Sequence, residues 1–177
     1  MITYDNITLV SRLVSEVESR SQCDTSVNML GMRLDIPLIA SPMPDICGAS
    51  TAFVLRRCGS LGIIHRFQTI EGQLNVFVMA NSVPETSSCH NDLPDLRNYS
   101  RTAVGCAIGV SDDYRERYFA LYNAGCRLFC VDTANGFNSK INGAIALLMD
   151  SPDKVQIIAG NIATREGYEY LANLGVD

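Results

Sequence analysis

Five short apolar runs, separated by helix-length amphipathic stretches, constrain this chain more than any other feature of its sequence. The runs are residues 37–41, 61–65, 103–109, 128–132 and 155–160. Each is nearly continuous in apolar residues rather than alternating. That is the pattern of strands buried on both faces. The stretches between and after them carry apolar residues on a helical period, as in Tyr114, Tyr118, Leu121 and Tyr122, or Ile141, Ile145 and Leu148. Helices are therefore predicted over 49–57, 69–80, 113–124, 139–149 and 164–174. Gly59, Gly125 and Gly175 stand where C-caps belong, and Thr69 and Thr164 where N-caps belong. Strand then helix, five times over, means parallel βα units, because a crossover helix makes successive strands run the same way.

Two architectures satisfy that order, an open doubly wound sheet and a closed barrel. No GxGxxG follows the first apolar run, so the dinucleotide fingerprint of the open sheet is missing. Polar residues instead end several strands: Ser41, His65, Asp132 and Asn161. Barrel enzymes place their chemistry at those ends. The expected fold is thus α/β, a partial TIM (β/α)8 barrel of about five βα units. It would form a single domain over residues 1–177. Residues 1–36 read as an irregular N-terminal arm along the barrel floor with a short β-ribbon. Residues 81–101, with Pro84, Pro94 and several Asn, Asp and Ser, read as a long surface loop.

Composition narrows the function classes. A hydrophobic share of 47% with 19% charged residues can bury a core and excludes a disordered chain. The net charge of -5, with no basic stripe, argues against nucleic-acid partners. No apolar run is long enough to span a membrane, and the N-terminus lacks a signal core, so a cytoplasmic location is expected. Seven cysteines without a CxxC give no zinc-ligand spacing. No metal is expected, and Cys126 and Cys130 read as packing thiols. The tyrosine stripe on the third helix reads as core or interface.

Four ordered segments carry a sharper signal. The first is Thr3-Tyr4-Asp5-Asn6-Ile7-Thr8-Leu9-Val10 followed by Ser19-Arg20-Ser21. The second is Ile36-Pro37-Leu38-Ile39-Ala40-Ser41-Pro42-Met43, and the third Gly62-Ile63-Ile64-His65-Arg66. The fourth joins Val131-Asp132-Thr133-Ala134-Asn135-Gly136 to Ile158-Ala159-Gly160-Asn161-Ile162-Ala163-Thr164. In this order and spacing the chain resembles the N-terminal half of the barrel of the IMP dehydrogenase/GMP reductase family.

The resemblance implies a purine-nucleotide oxidoreductase, converting IMP to XMP with NAD or GMP to IMP with NADPH. It implies that Ser41 and Met43 lie along the purine nucleotide, with Asn161 and Gly160 near it. Asp132, flanked by Thr133 and Ala134, would face the nicotinamide riboside of NAD or NADP. His65 and Arg66 match a loop that varies between branches. The family's thiol nucleophile sits in a Gly-rich loop after the sixth strand. That loop is expected to lie beyond Asp177, and none of the seven cysteines here maps to the nucleophile. No catalytic residue is therefore assigned within residues 1–177. The chain is expected to be inactive alone and to need a homo-oligomer or a complementing C-terminal half. Two departures stand out. Pro44 separates Asp45 from Ser-Pro-Met, where the family usually has Asp next. Only the 81–101 loop stands where many dehydrogenases carry a regulatory module. Two other readings remain open: a non-catalytic half-barrel that self-associates or complements a partner, and a flavin- or phosphate-binding barrel, since Ile158-Ala159-Gly160-Asn161 also resembles turns of flavin enzymes.

Overall fold

The computed structural model describes residues 3–8, 10, 14, 16–82, 102–111 and 113–177. After two single-turn 3-10 segments, Tyr4–Asn6 and Arg20–Gln22, comes an antiparallel ribbon of β1 (Val27–Met29) and β2 (Met32–Leu34). Its tip, Leu30 and Gly31, has φ of 52° and 67°. Two successive left-handed residues match the right-handed twist of a ribbon, and glycine enters that region without steric cost. Leu30 accepts the less favourable backbone while its side chain is buried.

Five strands then form one parallel sheet in chain order: β3 (Ile39–Ala40), β4 (Leu61–Ile64), β5 (Val104–Ile108), β6 (Leu128–Asp132) and β7 (Gln156–Gly160). Each successive pair is joined through a helix: α1 (Ala49–Arg57), α2 (Ile70–Ser82), α3 (Tyr114–Asn123) and α4 (Ile141–Met149). A fifth helix, α5 (Arg165–Asn173), follows β7. Sequential parallel order with helices on one face is a curled half of a TIM barrel, as the apolar runs predict.

The predicted bounds fall within two residues of the observed ones. Thr69 and Thr164 cap α2 and α5, accepting from Gly72 N at 3.0 Å and Gly167 N at 3.1 Å. The first strand is shorter than the run 37–41, since pairing starts at Ile39, and Pro37 has no N–H to give a ladder. The loop expected over 81–101 lies outside the described residues, apart from Asn81 and Ser82, which finish α2.

Period-two alternation sorts the strands onto two cores. Ile64, Val104, Cys106, Ile108, Phe129, Val131 and Ile157 face the helices, packing with Phe77, Tyr118, Leu121, Ile145, Leu148 and Leu171. Each fully buried Leu or Ile contributes about 2 kcal/mol by this transfer from water. Leu61, Ile63, Ala107, Leu128 and Cys130 face the other way, with Ile158 alongside, and meet Leu30 and Leu34 of the ribbon. The ribbon thus covers part of the concave face. The same alternation sends the next residue on that face of β6, Asp132, toward the uncovered end. Tyr118 is buried and packs its ring 5.3 Å from that of Phe129, so the tyrosine stripe is core on this helix.

Candidate functional site

At the C-terminal ends of β3, β4, β6 and β7 lies an open cavity of about 590 Å³. Ligand sites fall in that size range. Its lining includes Ser41, Met43, Arg66, Asp132, Ala134, Gly160 and Asn161. Seven of the nine residues singled out from the sequence thus converge from four strand ends. Thr133 and His65 do not line this cavity.

Asp177, the last residue of the sequence, does not border the cavity either. It lies along the outer edge of β7 instead. Its N–H donates to Ile157 O at 3.1 Å, and its Oδ2 accepts from Ile157 N at 3.0 Å. Its carboxylate is thus engaged with the start of β7, at the end of the strand opposite Gly160 and Asn161. It takes no part in the candidate site.

Thr133 laces the strand-end turns together. Its N–H donates to Gly160 O at 2.8 Å, and its own carbonyl accepts from Asn161 N at 2.7 Å. Gly136 N completes the stitch by donating to Asn161 O at 2.6 Å. A Cβ at Gly136 would sit 3.1 Å from the backbone of Gly160 and Asn161, tight enough that this approach favours glycine. A Cβ at Gly160 would meet nothing in the chain nearer than Ile162 N at 3.9 Å, although Gly160 borders the cavity. The backbone there is open to a ligand.

His65 follows β4 with its Nδ1 buried and without a hydrogen-bond partner. Burial holds its imidazole below the ordinary value, and the charge of Asp45 pulls the other way. The next residue, Arg66, turns toward β6. Its Nε donates to Asp132 O at 3.2 Å and lies 3.5 Å from Asp132 Oδ2.

Behind this turn is a buried polar network that the sequence reading missed. Gln73 on α2 donates through Nε2 to Ile64 O at 3.2 Å and Ala107 O at 2.8 Å. Its Oε1 accepts from Arg117 Nη1 at 2.7 Å. Arg117 also donates to Gln68 O at 3.0 Å and pairs with Asp113 at the start of α3. Gln68 in turn donates to the carbonyls of His65 and Arg66, at 2.9 and 2.8 Å. Both Gln73 and Arg117 are buried. A buried guanidinium is tolerable only when its donors are used, and here each of its nitrogens donates.

Two further cavity residues were also missed. Phe67 stands one position past Arg66 and borders the cavity. Cys130 precedes Asp132 by two, so strand alternation would have placed it on the same face. Its thiol is pushed up to about 12, by burial first and the neighbouring Asp132 second. Burial thus favours the neutral thiol over the thiolate, the nucleophilic form. Among the described residues, no group of three or more His, Cys, Asp and Glu is placed to hold a metal ion. Among them too, no helix is long and apolar enough to cross a membrane.

A sequence profile of the IMP dehydrogenase / GMP reductase domain matches residues 1–177. The chain belongs to this family. Among its relatives, a GMP reductase of Albidiferax ferrireducens is 30% identical over 174 residues, covering 98% of this chain and 48% of that protein. An inosine-5'-monophosphate dehydrogenase of Borreliella burgdorferi is 25% identical over 215 residues, covering 99% and 52%. Another, from Tritrichomonas foetus, is 36% identical over 105 residues, covering 59% and 20%. The chain thus spans about half the length, or less, of these relatives. The first two relatives carry the names of a reductase and a dehydrogenase acting on purine nucleotides. Relatives of both names match, so similarity does not choose a direction.

Proposed function

We propose that this chain supplies the nucleotide-facing wall of a purine-nucleotide oxidoreductase, acting on IMP with NAD or on GMP with NADPH. The observation that carries the reading is the convergence of Ser41, Met43, Asp132 and Asn161 on one cavity at the strand ends. Ser41 and Asn161 offer hydroxyl and amide groups that can orient a purine nucleotide, with Met43 as a soft apolar contact. The Asp132 carboxylate is an acceptor suited to the paired hydroxyls of a ribose. An acceptor at the edge of a cavity of this size fits a nicotinamide riboside, so Asp132, with Ala134 beside it, would hold that part of NAD or NADP. The dinucleotide, when bound, supplies or accepts the hydride.

The protein's part is to hold two planar rings in register and keep water from the transfer path. A thiol nucleophile must come from elsewhere. Cys130, the one cavity-lining cysteine among the described residues, stays protonated. The sheet ends in β3 and β7, each with one neighbour among the described strands. Unpaired edges favour completion by a second half-barrel or by another copy. A cytoplasmic setting belongs to the same reading.

The test is to combine this chain with a partner carrying the family's Gly-rich cysteine loop. Isolation of a 1:1 complex and assay for IMP-dependent NAD reduction and NADPH-dependent GMP reduction should show one of the two. An intact complex without turnover in either assay would refute the catalytic reading. It would leave the non-catalytic half-barrel.

A further inference from the structure

Among the described residues, Phe67 belongs to neither hydrophobic core. Its side chain stays 57% exposed in the turn between β4 and α2, and it borders the strand-end cavity rather than either core. A lone exposed apolar residue is ordinary. This one is held in place. The Arg66 guanidinium carbon lies 4.6 Å from its ring centroid, within cation–π range. Arg66 is itself tied to Asp132 through Nε, at 3.2 Å to the carbonyl and 3.5 Å to the carboxylate. On either side of Phe67 the turn is tied by Gln68, which donates to the carbonyls of His65 and Arg66 and is held from α3 by Arg117. A flat apolar face is thus preorganised beside the carboxylate best suited to a ribose.

We propose that Phe67, braced by Arg66, is a stacking subsite for the heteroaromatic ring of a nucleotide whose ribose is held at Asp132. The inference rests on the reading of this cavity as a nucleotide site and adds the group that grips the ring. An offset or edge-to-face contact with a phenyl ring suits any flat nitrogen heterocycle. It would therefore serve either a purine or a nicotinamide ring. Phe67 carries no hydrogen-bonding group, so it grips a ring without reading its edge. Selectivity between bases must come from the polar residues across the cavity, Ser41 and Asn161. Losing one base–aromatic stack typically weakens binding by about tenfold or more.

The chain contains no tryptophan. Phe67→Trp therefore creates a single indole fluorophore at the subsite. The full chain would be titrated with IMP, GMP, nicotinamide mononucleotide and, as a ringless control, ribose 5-phosphate. The expected result is saturable quenching by a ring-bearing ligand and none by ribose 5-phosphate. Comparison of the purine and nicotinamide arms shows which ring occupies the subsite. Phe119→Trp, on the exposed side of α3 and away from the cavity, should show no saturable response. In parallel, calorimetric titration should show Phe67→Ala weakening the same ligand by about tenfold while Phe67→Tyr retains it. Suppose wild type binds and Asp132→Ala loses affinity, yet Phe67→Ala binds normally and the tryptophan stays unquenched. The subsite is then wrong and the cavity reading stands. If no nucleotide binds the wild-type chain either alone or in its 1:1 complex with the completing half, the cavity reading fails and the subsite falls with it. Quenching by ribose 5-phosphate equal to that by the nucleotides would also overturn the proposal.

Discussion

Arg66 bridges to Asp132 across 66 residues of chain, its Nε 3.2 Å from the Asp132 carbonyl and 3.5 Å from the carboxylate. Two strand-end turns that share no sequence proximity are thereby locked together at the mouth of the half-barrel. Both side chains are partly shielded, so the pair should be worth more than a surface ion pair. A double-mutant cycle of Arg66→Ala and Asp132→Ala, read by urea unfolding, should give a coupling of about 1 kcal/mol. Additive single effects would mean that the carboxylate adds nothing to the bond Arg66 makes to the Asp132 carbonyl, which Asp132→Ala leaves in place.

The pair also shows what a sequence can and cannot disclose. Asp132 was legible because an apolar run ended in a carboxylate at the position where barrels carry chemistry. Arg66 was legible as the neighbour of His65 in a motif. That the two meet depends on β4 and β6 flanking β5, which local pattern does not encode. The strands and helices were legible for the opposite reason. Burial on both faces writes itself into continuous runs such as Leu128 to Val131, and caps such as Thr164 are local chemistry. Gln73 and Arg117 were invisible as functional support. Each looks like an ordinary polar helix residue until the packing of α2 on α3 buries both.

That network gives a second prediction. Arg117→Met keeps the length of the side chain but leaves Gln73 Oε1 and Gln68 O without their donor. The loss should be about 3 kcal/mol in chemical denaturation, because buried acceptors then go unsatisfied. Exchange of backbone amides in the 65–69 turn should accelerate in the same variant. A variant that unfolds at the wild-type midpoint would show that the buried guanidinium is not what braces this turn.

Two glycines at the site should respond oppositely to alanine. At Gly136 the added carbon would meet the backbone of Gly160 and Asn161 at 3.1 Å, and that backbone is pinned by the bonds to Thr133 and Gly136. Gly136→Ala should therefore cost about 1–3 kcal/mol in unfolding free energy. At Gly160 the chain leaves room, so Gly160→Ala should change stability by less than about 0.5 kcal/mol. Its methyl would instead border the cavity, and nucleotide affinity measured by calorimetry should fall. Equal stability losses at both positions would contradict the stated difference in packing.

The buried thiols predict an alkaline weakness. Cys130 is pushed up to about 12 and Cys47 to about 11, from an ordinary 9.0, burial being the main cause in both. Below pH 9 both are protonated in folded and unfolded chains alike, and the native advantage is fully present. Between pH 9 and the folded values the unfolded thiols ionise while the native ones keep their protons. The unfolded state then binds fewer protons, so stability falls as pH rises. The urea midpoint should accordingly decline from about pH 9 upward more steeply in wild type than in a Cys47→Ala, Cys130→Ala double variant. The variant will start from a lower midpoint because it loses packing, so the comparison lies in the slopes. The folded chain at pH 8 should likewise leave Cys130 unmodified by iodoacetamide while the exposed Cys23 reacts. Labelling of Cys130 as fast as Cys23, or parallel slopes in the two proteins, would contradict the raised values of these buried thiols.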